Sequence, residues 1–100
     1  MGSATVVVRA LGPSLTAYGV SGVLSDPTLT IYDSTGSVIA SNDNWQDDVN
    51  QINVRKNALS PKDQRESALV LHLPAGAYTA VVRGANGAIG NALVEVYHLD

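Results

Sequence analysis

Short runs of β-branched residues, each cut off by turn formers, set the rhythm of this chain and leave little room for helices. Val, Ile, Thr, Tyr and Leu concentrate in Ala4 to Arg9, Thr28 to Asp33, Ser37 to Ser41, Glu66 to Leu73, Ala77 to Arg83 and Asn91 to Leu99. Gly, Pro, Asn, Asp and Ser fill the gaps. Such runs fit a pleated surface and such gaps supply turn geometry, so each run predicts a strand. Thr28 to Ser41 reads as a hairpin about Ser34-Thr35-Gly36. Leu69, Leu71 and Leu73 share one face of a later strand. Pro74-Ala75-Gly76 reads as a tight turn joining that strand to Ala77 to Arg83. The first run is apolar on both faces at Val6, Val7 and Val8, which predicts a strand covered on both sides. Six such runs, with one or two more hidden in the loops, predict an all-β fold. The expected architecture is an antiparallel β-sandwich of jelly-roll or immunoglobulin-like type with about seven to eight strands.

One hundred residues suit a single domain. The expected domain is 4–100, with Met1-Gly2-Ser3 read as an added start and not as a targeting signal. Apolar residues make up 45% of the chain and charged residues 15%, which argues against intrinsic disorder. So few charges also repel a second copy weakly. The net charge is −3 and Arg55-Lys56 is the sole basic pair, so the converging cations that bind nucleic acid or an anionic membrane are missing. No apolar run approaches the ~20 residues of a spanning helix. With no cysteine, thiol catalysis, thiolate metal sites and disulfides are excluded.

The ordered strings of the chain carry a resemblance. They are Val8-Arg9-Ala10-Leu11-Gly12-Pro13-Ser14-Leu15, Asp26-Pro27-Thr28-Leu29, Ser41-Asn42-Asp43-Asn44-Trp45, Glu66-Ser67-Ala68-Leu69, Leu73-Pro74-Ala75-Gly76-Ala77-Tyr78-Thr79-Ala80 and Leu93-Val94-Glu95-Val96-Tyr97. Together they resemble a module of large secreted and surface proteins of environmental bacteria. More distantly they are similar to bacterial pre-peptidase C-terminal domains, which are β-sandwiches. The resemblance implies a non-catalytic accessory domain at the cell surface or outside the cell, with no agreed ligand.

The densest polar segment is Asn42 to Asp48 around Trp45. Calcium takes six to eight oxygens, so Asp33, Asp43, Asp47 and Asp48 form the candidate ligand set for a calcium ion. The EF-hand spacing is absent. Against this stands the tendency of Asn and Asp to cap turns while a tryptophan plugs the core. An exposed Trp45 would instead contact a glycan or a partner. His72 and His98 lack the Gly-x-Ser-x-Gly elbow and the ordered base of a hydrolase, so no enzyme is expected. Arg65 with Glu66, and Arg83 with Glu95, read as solvated surface pairs. Both terminal strands are apolar. Val6, Val7, Val8, Val94 and Val96 are therefore the expected self-assembly positions, through edge strands that pair with another copy. The leading expectation is a structural or adhesive module that acts by protein–protein contact, on itself or on neighbouring modules. A calcium-stabilised or glycan-binding accessory module is the alternative.

Overall fold

The computed structural model describes residues 3–47 and 59–98. Six strands are present among them: β1 (Ser3–Leu11), β2 (Pro27–Tyr32), β3 (Val38–Asn42), β4 (Ser67–Pro74), β5 (Thr79–Gly84) and β6 (Leu93–His98). They form two antiparallel three-stranded sheets, ordered β4-β1-β6 and β3-β2-β5. The chain is therefore all-β, with six strands among the described residues against the expected seven or eight.

Each strand's apolar pattern follows from its place. β1 lies at the centre of its sheet, with Val8 opposite Leu69 on one side and Val96 on the other. Its inner face sends Val8 and Ala10 into a cluster with Leu69 of the same sheet and Leu29 and Ile31 of the other. Its outer face sends Val7 against Trp45 and Ala68, with Leu59, Val70 and Tyr97 alongside. Coverage on both faces is why Val6, Val7 and Val8 are apolar in succession, while Thr5 and Arg9 flank Val7 on the outer face. β2 is covered on one face only and alternates accordingly, with Pro27, Leu29 and Ile31 buried between half-buried neighbours.

The expected Ser34–Gly36 hairpin is present, joining β2 to β3 with an irregular register between Ile31 and Tyr32. The second expected hairpin is not. β4 pairs with β1 and β5 pairs with β2, so Pro74 to Tyr78 crosses from one sheet to the other. The alternating pattern of two strands cannot distinguish a hairpin from a crossover, because both present one apolar face to the same core. Here the Tyr78 hydroxyl donates to the Pro74 carbonyl (2.7 Å) and braces the crossover.

The glycine-rich stretch after β1 becomes a 3-10 turn, Pro13–Tyr18. Gly12 precedes it for steric reasons. A Cβ there would sit 2.0 Å from the Leu24 carbonyl oxygen, so no larger residue fits without moving backbone.

Candidate functional site

The sites expected from sequence are only partly assembled. Asp33 closes the β2–β3 turn. Its Oδ1 accepts from Thr35 N (2.9 Å), Thr35 Oγ1 (2.7 Å) and Ser37 N (3.0 Å). The Thr35 hydroxyl, then the Ser37 amide, hold its carboxyl below the ordinary 3.8. Asp43 follows Asn42, which pairs with Leu29 at the other end of the hairpin from Tyr32 and Val38. At ~3.3 Å per residue, three residues of strand separate the two ends. Asp33 and Asp43 therefore do not share a coordination shell. The side chain of Asp47 and all of Asp48 lie outside the described residues, and among those described no three His, Asp or Glu groups converge as metal ligands.

Trp45 is 5% exposed, packed between Val7 and Ala68. Stacking on a sugar or a partner needs an open ring face, so the structure corrects the contact role expected for Trp45. The ring serves the core. Its position is fixed by Trp45 N donating to the Glu66 carbonyl (2.9 Å).

Glu66 is the residue that sequence reading misplaced most. It is not a surface partner of Arg65. It is fully buried, and its Oε2 accepts from Gly12 N (2.8 Å), Ser14 N (2.9 Å) and Ser14 Oγ (2.7 Å). Its other oxygen faces Asp63 N at 3.3 Å. A buried carboxylate is tolerated when several donors converge on it, which is what the Gly12-Pro13-Ser14 turn provides. Arg65 turns instead to Asp63 at 3.0 Å, which holds the Asp63 carboxyl low. A sequence signal was available: a glutamate directly before a mainly apolar strand, and a Gly-Pro-Ser string needing acceptors for the Gly12 and Ser14 amides. Ser67, next in the chain, is also buried. Its hydroxyl stands within hydrogen-bond reach of the carbonyls of Pro27 (2.6 Å), Asn42 (3.0 Å) and Asp43 (2.6 Å).

The second expected ion pair is also redirected. Arg9, on the outer face of β1, binds Glu95 directly opposite on β6. The same guanidinium donates to Leu59 O and to Tyr97 OH (both 3.1 Å) and lies over the Tyr97 ring. Arg83 is exposed, and among the described residues it takes part in no ion pair.

Two seams run where the edges of the sheets approach each other. Along β3 and β4 the seam is closed: Asn42 Oδ1 accepts from Ala68 N (3.0 Å), the Ser67 hydroxyl meets Asn42 and Asp43, and Trp45 lies against Val7 and Ala68 behind them. Along β5 and β6 it is open. Among the described residues no strand pairs with the outer edge of either. Val94 and Val96 face inward, opposite Ala10 and Val8, yet remain 41% and 63% exposed. An apolar cleft of about 290 Å³ runs in from this side to Val6, Ile31, Leu71 and Tyr78. With β1 paired on both edges, Val6, Val7 and Val8 offer no strand edge. Of the expected assembly positions, Val94 and Val96 on β6 retain one.

The described residues thus form two three-stranded antiparallel sheets, an all-β arrangement with an open, apolar seam between β5 and β6. Comparison with protein-family models, curated proteins and solved structures gave no match to this chain.

Proposed function

We propose that the chain is a non-catalytic structural or adhesive β-sandwich module of a secreted bacterial protein, working by protein–protein contact and associating with itself through β6. The observation that carries this reading is the exposure of Val94 and Val96, inward-facing residues on a strand with one unpaired edge. An edge of this kind presents amide and carbonyl groups spaced to receive another strand, and natural edges are commonly guarded by lysine or proline. β6 reads Leu93-Val94-Glu95-Val96-Tyr97-His98, with neither guard. Its one carboxylate is tied to Arg9 of its own sheet through Oε1. The two sheets share a core in the manner of a sandwich, and the resemblance to bacterial surface modules supports the extracellular placement.

Sedimentation velocity across a concentration series tests the reading. Self-association is expected to raise the weight-average mass with concentration. A species that stays at 10.4 kDa up to millimolar concentration overturns it.

A further inference from the structure

We infer that the open seam takes a second copy of the chain, each copy laying its β6 against β5 of the other. This rests on the self-association proposed above and supplies its geometry.

The strand directions come first. Ala80, early in β5, and Val96, late in β6, line the same end of the apolar cleft. The two strands therefore run in opposite directions along the same side of the molecule. A twofold axis parallel to the strands, lying between the layers, brings β6 antiparallel to the partner's β5 and repeats the contact reciprocally. Both sheets then continue to six strands.

The faces match under this operation. Glu95 lies opposite Arg9 on the outer face of one sheet, and Arg83 lies opposite Thr28 on the outer face of the other. The register that sets Glu95 against the partner's Arg83 also sets Val96 against Val82 on the inside and Tyr97 against Val81 on the outside.

Charge selects this pairing over its competitors. Arg83 projects from β5 with no ion pair among the described residues, and both Arg9 contacts to Glu95 fall on Oε1. A twofold pairing of β6 on β6 sets Glu95 against Glu95, Tyr97 or Leu93. A pairing of β5 on β5 sets Arg83 against Arg83, Val81 or Thr79, so neither gives its charge an opposite partner. Like charges directly opposite destabilise a ladder, and opposite charges stabilise it. A six-residue strand is only ~20 Å long, so the reciprocal contact, with two seams in place of one, is what brings the buried area towards the ~1,000 Å² of a specific interface. The dimer is accordingly a weak one.

The chain has no cysteine, so disulfide trapping reads the geometry directly. Opposed residues in an antiparallel pair have Cα atoms ~4.5–5.5 Å apart, within disulfide reach. Under mild oxidation, a Val96→Cys chain mixed with a Val82→Cys chain is expected to give the mixed disulfide in preference to either homodimer. Arg83→Glu, on an exposed side chain, changes both Glu95–Arg83 pairs of the dimer and is expected to weaken it at least roughly fivefold, from ~0.5 kcal/mol lost at each pair. A Val96→Cys chain that cross-links to itself in preference overturns the inference while leaving self-association standing, as does an Arg83→Glu chain that dimerises as tightly as the parent. A parent chain that stays monomeric defeats both.

Discussion

The two seams of this molecule are built from the same kinds of strand and end in opposite states. At the β3–β4 seam the chain spends its polar residues on closure. Glu66 and Ser67 are buried, the Asn42 side chain takes up the Ala68 amide, and Trp45 covers the outer face of Val7. At the β5–β6 seam such closure is confined to one end, where Leu24 is buried and the Gly22–Leu24 backbone bonds Asn91; along the strands two inward-facing valines stay open to solvent. Burial of apolar area at ~25 cal/mol per Å² drives both seams toward closure. The difference is which residues supply the cover. A local loop with well-placed hydrogen-bond partners covers one seam, whereas along the other no described segment covers Val94 and Val96.

If the closed seam holds the fold, its buried polar centre should be the costliest place to strike. Glu66→Ala leaves Gly12 N and Ser14 N without their acceptor inside the protein. Removing a charged partner that buried donors depend on costs about 3–5 kcal/mol, against ~5–15 kcal/mol of total stability for a small domain. The expected result is a large drop in the urea midpoint with little change in slope. A loss below 1 kcal/mol would break the comparison at its stronger side.

Inner-face truncations sharpen it. Leu29 of β2 is completely buried between the two sheets, and Leu29→Ala is expected to cost about 2–4 kcal/mol. Val96→Ala, on the equivalent face of β6, is expected to cost less than about 0.5 kcal/mol in the monomer, because its side chain is already in water. The same substitution should nevertheless weaken self-association. Chemical denaturation at micromolar concentration and sedimentation at high concentration measure the two effects separately. Equal stability losses at Leu29 and Val96 would show that the open seam is closed in solution.

The sequence carried the strand positions well, because the Val/Ile/Thr runs and their turn residues are local signals. The first strand's double-sided apolar pattern was a correct guide to its central place, and for that reason it was a poor guide to assembly: the residues that look most adhesive, Val6 to Val8, are the ones the fold has already enclosed. Partner choice was not legible. Ala77 to Arg83 could pair with β4 or cross to the other layer, and only the packing of the whole chain decides. The polar centre was misread for a related reason. Glu66 sits beside Arg65 in sequence, but the turn closed by Glu66 N on the Asp63 carbonyl leaves Arg65 exposed on the Asp63 carboxylate and buries Glu66, so the nearest neighbour in the chain is a poor choice of ion-pair partner. The acceptor of the Gly12-Pro13-Ser14 amides lies more than fifty residues away. Arg9 and Glu95 show the same limit, since their pairing exists only because the two terminal strands are adjacent in one sheet.

Ser67→Ala is a smaller strike at the closed seam. It removes one hydroxyl proton from a ring of three carbonyls, and the expected loss is about 1–2 kcal/mol by thermal denaturation. A loss as large as that of Glu66→Ala would mean that the serine, and not the carboxylate, holds the Asn42–Trp45 loop in place.

The smallest expected effect is electrostatic and lies at the turn of the β2–β3 hairpin. The Thr35 hydroxyl and the Ser37 amide favour the charged form of Asp33, so its carboxyl titrates below the ordinary 3.8. A carboxyl with a lower value in the folded chain contributes stability that is present above about pH 4 and is lost as the pH falls through the folded value. Asp33→Asn should therefore lower the melting temperature slightly at pH 7. The gap between parent and variant should narrow below pH 4 as the parent's own carboxyl takes up a proton. The turn is solvent-exposed and belongs to neither seam, so its titration should leave self-association unchanged at pH 5–7. A gap that widens on acidification would reverse the sign of this argument. A change in dimer affinity in Asp33→Asn would show that the hairpin turn belongs to the contact.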